Sequence, residues 1–377
     1  MTRHIVIITT SYPITSDGSE AAGAFAHDFV AALAKEASVS VIAPGQDNEI
    51  KNNGDVTIYR YWTPQGKPLS TLNPLNPVQL VQIARVLLAG FRAARMLNKS
   101  EAKLDFIFCL WIFPSGLWGS WLARKRKINY GTWSLGSDVW RLSRIAGLRQ
   151  LLQSILSGSL VNFADGHQLC SDVKELSKEH CEFLPSCRNM PVLEKSINTT
   201  GPYKLGYLGR WHENKGTDIL LDALSQLDEK AWDNISLVTI AGGGPLDELV
   251  RQGVRELSDL GRPVELKNYL GREEAAEFIS GNDYMLLPSR LDSIPVIFSD
   301  ALGNSSPLVS TPVGDMPALI DRYKCGVLAD GFSASEFARA IKVAVSSNPG
   351  QFLGMREELM LEFSPEQSAR KLLDNIE

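Results

Sequence analysis

Cysteine is scarce and scattered. The five residues Cys109, Cys170, Cys181, Cys187 and Cys325 are odd in number and include no Cys-x-x-Cys pair, which argues against a disulfide framework and for a reducing compartment. Low-complexity tracts and repeats of solenoid length are missing as well. A long apolar leader is missing too: Ile5 to Ile8 is a short run ended by Ser11-Tyr12-Pro13, which suits a buried strand better than a signal peptide and leads to the expectation of a cytoplasmic protein. Phe106 to Ala123 carries no charge and is long enough to suggest a membrane span. Pro114-Ser115-Gly116 cuts it, so the run reads as a strand to Trp111 and a helix from Leu117 to Arg126. Acids are scarce in one region: from Arg60 to Arg149 only Glu101, Asp105 and Asp138 face 14 basic residues, although the whole chain is net −5. That local excess suits a phosphorylated acceptor or an anionic membrane face on the cytoplasmic side. A set of ordinary solvated helix faces is the other reading. No nucleic-acid partner is expected.

What is present is alternation. At 377 residues the chain should form two domains. Strand-like Ile5–Thr9, helix-like Gly23–Ala37 and strand-like Val39–Ala43 begin a pattern that means parallel sheets with crossover helices. Periodicity lapses between Pro185 and Pro202, and the pattern restarts with Tyr203–Leu208, Thr217–Leu227, Ser236–Ala241 and Leu246–Leu260. His167 to Cys170 reads as a strand. Ser333 with Glu336, and Ser364-Pro365 with Gln367, mark two late helix starts. The expected class is α/β, two tandem Rossmann-like doubly wound domains at residues 1–195 and 201–350. The C-terminal helix of about residues 360–377 is expected to pack on the first.

Three segments carry chemistry. Leu208-Gly209-Arg210-Trp211-His212-Glu213-Asn214-Lys215-Gly216 joins a strand to a helix, and two cations beside helix-start amides make an anion site at a strand's carboxyl end. Ala241-Gly242-Gly243-Gly244-Pro245 lets backbone approach a phosphate closely; it is neither a G-x-G-x-x-G fingerprint nor a Walker loop, and tight packing explains such glycines equally well. In Leu287 to Leu302 a strand ends in a loop, Pro295 suits the first turn of a helix, and Asp300 lies more than a turn inside it. Asp292 and Asp300 could hold hydroxyls at the two ends of an elongated ligand, with the amides of Ser293, Ile294, Pro295 and Val296 around the charge between them.

In order, Gly209-Arg210 with Lys215-Gly216, the turn at Gly242, Pro288-Ser289-Arg290 with its two acids, and Thr311-Pro312-Val313-Gly314 resemble the donor domain of the retaining GT4 glycosyltransferases. Tyr12-Pro13 with Gly23-Ala24-Phe25, and Phe113-Pro114-Ser115-Gly116 with Gly136-Ser137-Asp138, are similar to the family's acceptor side. The resemblance implies GT-B architecture, two domains facing each other across a cleft, and hexosyl-type transfer with retention from a nucleotide-diphosphate sugar to a saccharide or lipid-linked acceptor. Bacterial-type polysaccharide or glycolipid synthesis is the implied setting. Arg210 and Lys215 would neutralise the leaving diphosphate, Asp292 would hold the transferred sugar, Asp300 the ribose, and Gly23 would let a loop close over the phosphates.

Several positions depart from the family pattern. Both acids of its Glu-x7-Glu motif are aspartate, each reaching about 1.5 Å less far. Leu135 stands in place of a histidine, Ser305 and Asp315 in place of glycines, and Ala318 in place of a glutamate. A second reading is therefore a nucleotide-sugar-binding protein that keeps the fold with little or no turnover. An epimerase or phosphorylase on the same architecture is a third. No Asp-x-Asp occurs, so protein cations rather than a metal are expected on the diphosphate. His167, Cys170, His180, Cys181 and Cys187 cluster in sequence, but their spacing fits no zinc finger or knuckle. Trp133 and Trp140, flanking Gly136-Ser137-Asp138, could stack on a sugar or could be core.

Overall fold

A computed structural model describes residues 3–14, 23–64, 72, 76–100 and 102–376. The chain divides into Met1–Ser186 with Pro365–Glu377, and Cys187–Ser364. The first unit runs β1 (His4–Ile8), α1 (Ala24–Leu33), β2 (Ser38–Gly45), β3 (Ile50–Asn53), β4 (Val56–Trp62), α2 (Pro77–Lys99) and β5 (Phe106–Leu110). It continues with α3 (Leu117–Arg126), β6 (Asn129–Ser134), α4 (Ser137–Trp140), α5 (Ala146–Ser157), β7 (Val161–Ala164), α6 (His167–Ser177) and β8 (Glu182–Phe183). Strand order is β3-β4-β2-β1-β5-β6-β7-β8, parallel except where β3 meets β4. Ile5 to Ile8 and Phe106 to Leu110 are buried throughout, as continuous apolar strands in a sheet covered on both faces must be.

The second unit runs β9 (Tyr203–Arg210), α7 (Thr217–Ser225), α8 (Glu229–Trp232), β10 (Ile235–Gly243), α9 (Asp247–Asp259), β11 (Val264–Lys267) and α10 (Arg272–Ser280). There follow β12 (Tyr284–Leu287), α11 (Ile297–Gly303), β13 (Leu308–Ser310), α12 (Met316–Tyr323), β14 (Gly326–Leu328), α13 (Ala334–Val345) and α14 (Arg356–Glu362). The order β11-β10-β9-β12-β13-β14 is wholly parallel. It is the doubly wound 3-2-1-4-5-6 arrangement, whose winding reverses between β9 and β12. The α13 start is a capping box in which Ser333 Oγ accepts from the Glu336 amide and Glu336 Oε2 accepts from the Ser333 amide.

Three expectations change. His167 to Cys170 opens α6 and is not a strand: β7 has already ended at Ala164, and Leu169, Val173 and Leu176 bury one face at helical spacing. Helix α11 starts at Ile297, two residues after Pro295, so Asp300 stands in its first turn. The segment Cys187 to Lys195 already belongs to the second unit. There Asn304 Oδ1 accepts from the Leu193 amide at 3.0 Å and Asn304 Nδ2 donates to Pro191 O at 3.1 Å.

The last helix, α15 (Pro365–Asn375), lies on α1. Ala369 and Leu372 join the core of Phe29, Val30 and Leu33, while Lys35 pairs with Glu366 at 2.9 Å at the surface. Burial does most of this work, because an exposed pair contributes little. Leu372→Ala should therefore cost about 2–5 kcal/mol and lower the urea midpoint, whereas Lys35→Ala should move it by well under half of that.

Candidate functional site

The carboxyl ends of β9 and β12 meet at the reversal point of the second sheet. After Arg210 the chain passes through buried Trp211 and a short 3-10 turn, Glu213–Lys215, before α7 begins. His212 caps that turn, its Nδ1 lying 3.1 Å from the Asn214 amide. Gly216 sits at φ 65, and a Cβ there would fall 1.9 Å from Pro288 O, so only glycine lets the two loops touch.

The loop after β12 is fastened to this turn. Arg290 and Leu291 donate backbone N–H bonds to Asn214 O at 2.8 and 3.3 Å. The Arg290 guanidinium forks onto Asp218 at 2.7 and 2.6 Å and reaches Glu213 O at 2.8 Å. Burial alone would raise the Asp218 pKa, but Arg290 outweighs it and holds the carboxyl below its usual range. From the other side Thr311 Oγ1 donates to Leu287 O at 3.3 Å, and Asp315 donates its amide to Ser293 O at 3.1 Å. Gly314, at φ 51, has Ser293 O where its Cβ would be, 2.0 Å away.

This scaffold brings Lys215 Nζ to 2.6 Å from Asp292 Oδ1, with the aspartate side chain 17% exposed. Asp292 Oδ2, Ser293 Oγ and Trp211 Nε1 are buried and, among the described residues, have no hydrogen-bond partner. Orphaned polar atoms of that kind cost stability unless something else satisfies them, and three in one loop pair make this the candidate ligand site. Arg210 is exposed, and no described carboxylate pairs with it.

The glycine turn after β10 is shaped by its own neighbours. A Cβ at Gly242 would lie 1.9 Å from Gly209 O, at Gly243 2.7 Å from the Tyr269 ring, and at Gly244 2.5 Å from Trp211 O. Asp300 is buried, and Arg188 grips its Oδ2 through Nε at 2.9 Å and through Nη2. Sequence reasoning missed Arg188, whose surroundings carried no periodic signal. It also missed Lys195, which donates to Ser306 Oγ at 2.8 Å, to Ser305 O at 3.2 Å and to Asn282 O.

In the first unit Gly23 caps α1 at φ 81, where a Cβ would sit 2.6 Å from the Ser11–Tyr12 peptide. Asp138 is buried and accepts from the amides of Ile112 at 2.8 Å, Val139 at 3.2 Å and Leu135 at 3.3 Å, so it ties the loops after β5 and β6 together. Burial raises its pKa against those bonds. Trp133 is core, donating Nε1 to Leu184 O at 3.0 Å, and Trp140 donates to Asp172 at 2.7 Å.

Two parallel Rossmann-like units of this kind make up the GT-B fold. Sucrose-phosphate synthase of Thermosynechococcus elongatus matches the fold over 99% of this chain and 98% of its own, with a TM-score of 0.75 at 17% identity. The α,α-trehalose-phosphate synthase (UDP-forming) of Burkholderia vietnamiensis does so over 100% and 99%, with a TM-score of 0.74 at 11% identity. The family model Glycosyl transferases group 1 matches residues 202–347, so the likeness to that family lies in the second unit. Among curated relatives, the D-inositol 3-phosphate glycosyltransferase of Corynebacterium urealyticum is 27% identical over 45% of this chain and 40% of its own. An uncharacterized glycosyltransferase of Methanocaldococcus jannaschii is 24% identical over 65% and 66%. The chain thus spans from under half to about two thirds of the length of these relatives.

Burial pulls the Lys195 pKa from 10.5 down to about 8, with Asp283 opposing. Between about pH 8 and 10.5 the unfolded chain holds this proton and the folded chain does not, so stability from this group rises with pH through that window. Urea unfolding of Lys195→Met should show a flatter dependence across that window than the parent; an equal slope would assign the effect elsewhere.

Proposed function

We infer that this protein transfers a glycosyl group from a nucleoside-diphosphate sugar to a hydroxyl acceptor, using the second unit's β9 and β12 loops as the donor site. The observation that carries it is Lys215 beside Asp292, with Asp292 Oδ2 and Ser293 Oγ buried and unsatisfied at the point where a doubly wound sheet binds ligands. The group 1 match over 202–347 and relatives named as glycosyltransferases support the same reading.

Transfer breaks the bond between the anomeric carbon and the β-phosphate oxygen and forms one to the acceptor oxygen, whose proton is released; the diphosphate, which already carries two negative charges, leaves with a third. Lys215 and Arg210, which has no carboxylate partner among the described residues, supply positive charge at one strand end, which lowers the barrier most where it is fixed beforehand. Asp292 does two things: Oδ1 holds Lys215 in place, and Oδ2 accepts a hydroxyl of the transferred sugar. Ser293 Oγ and the Ser293–Val296 backbone lie beside it. Asp300, its Oδ2 held by Arg188, accepts from the ribose. Gly242 and Gly243, packed against Gly209 O and the Tyr269 ring, bring bare backbone to the nucleotide end. Transfer of a hexosyl group with retention, protein cations in place of a metal, and work on polysaccharide or glycolipid acceptors at the cytoplasmic membrane face complete the proposal.

With a panel of nucleoside-diphosphate sugars, one donor should release its nucleoside diphosphate. Lys215→Ala and Arg210→Ala should each lower kcat by about 10²–10³ at unchanged melting temperature. Full turnover in both variants overturns the phosphate role. Stabilisation by a nucleoside diphosphate with no transfer to any acceptor would instead show a binding protein. Asp292→Asn should weaken use of the sugar more than binding of the bare nucleotide, read as a larger change for the donor than for the nucleoside diphosphate in competition.

A further inference from the structure

Helix α2 presents an outer stripe that nothing in the described structure covers. Spacing of three and four residues places Val78, Val81, Arg85, Leu88, Arg92, Arg95, Met96 and Lys99 on one side, opposite the core positions Val86, Gly90, Ala93, Ala94 and Leu97. The large apolar members are open to solvent: Val78 is 68% exposed, Val81 59% and Leu88 58%. No acid occurs anywhere in Pro77–Lys99.

The cations of the stripe lack the carboxylate partners that several cations of the second unit have. In the second unit Arg188, Lys215, Arg251, Arg262, Arg290 and Arg322 each have a carboxylate within 4 Å. Among the described residues none pairs with Arg85, Arg92, Arg95 or Lys99; Arg85 lies instead over the Trp62 ring at 4.7 Å and Arg95 over Trp121 at 5.9 Å. The basic end of α3 is brought alongside, because Arg126 donates to Leu97 O at 3.0 Å, Asn98 O at 2.7 Å and Ser100 O at 2.8 Å at the end of α2. Exposed Arg124, Lys125 and Lys127 flank that clasp, also without described carboxylate partners. Glu101 lies outside the described residues.

We propose that the outer face of α2, with the basic end of α3, is a docking surface for an anionic lipid bilayer. A helix whose inner face is fixed in a core can lie flat on headgroups, its valines and leucine entering the acyl boundary while arginine and lysine stems spread to the phosphates. Among the described residues no helix is long and apolar enough to cross a membrane, so attachment through α2 is superficial. Charge decides the occupant. A two-fold dimer through this stripe would set cations against cations, and a polyanion bound by charge alone has no use for Val78, Val81 and Leu88.

Sedimentation of the full chain with phosphatidylglycerol and phosphatidylcholine vesicles tests this, at low and high salt. Binding should require phosphatidylglycerol, weaken with salt, and fall roughly fivefold for each of Arg92→Ser and Lys99→Ser. Val81→Asp with Leu88→Asp, both more than half exposed, should abolish binding at an unchanged melting temperature. Equal binding to phosphatidylcholine, or full binding by the double aspartate variant, overturns the proposal. So does an analytical-ultracentrifugation dimer that this variant dissolves, which would assign the stripe to a second copy. Transfer to a soluble acceptor should stay at the parent rate in every variant.

Discussion

The second unit is organised by the seam between the β9 and β12 loops. Two adjacent strand ends would ordinarily carry independent loops, each free to wander. Here backbone bonds from Arg290 and Leu291 to Asn214 O, the fork of Arg290 on Asp218, and the close approach of Gly216 to Pro288 O make one rigid piece of them. Lys215 and Asp292 come from opposite sides of that seam, and their 2.6 Å contact exists because the seam holds. The charged fork is 39% and 30% exposed, so its own contribution to stability is small and its value lies in position.

A similar economy appears in the first unit, where one buried carboxylate, Asp138, gathers amides from two loops. The two units therefore fasten neighbouring strand-end loops by different devices: a surface cation with backbone and carboxylate acceptors in one, an interior acid with backbone donors in the other.

Much of the architecture was legible in the chain. Fully apolar strands, helix-length intervals and the capping residues at Ser333 announced tandem parallel sheets, and glycine beside cations marked the strand ends that matter. Long-range polar partners were not legible. Arg188 and Lys195 sit in a stretch without period, and their meaning comes from distant partners: Asp300 for one, Asn282, Ser305 and Ser306 for the other. The glycines at 242 to 244 were ambiguous for a related reason: whether a missing side chain makes space for a ligand or for Gly209 and Trp211 depends on strand register. At His167 local composition favoured a strand, and the preceding strand's early end at Ala164 decided otherwise.

Helix α15 gives the covalent order of the chain a consequence for its birth on the ribosome. Because α15 completes the first unit and follows Ser364, every residue of the second unit is synthesised before the first can close its α1 face. Synthesis thus finishes the interior insertion ahead of the body that surrounds it in sequence, reversing the usual amino-to-carboxyl succession of domains. Until then Phe29, Val30 and Leu33 lack the cover of Ala369 and Leu372, and the nascent protein carries an open greasy flank for as long as translation takes to cross the whole second unit.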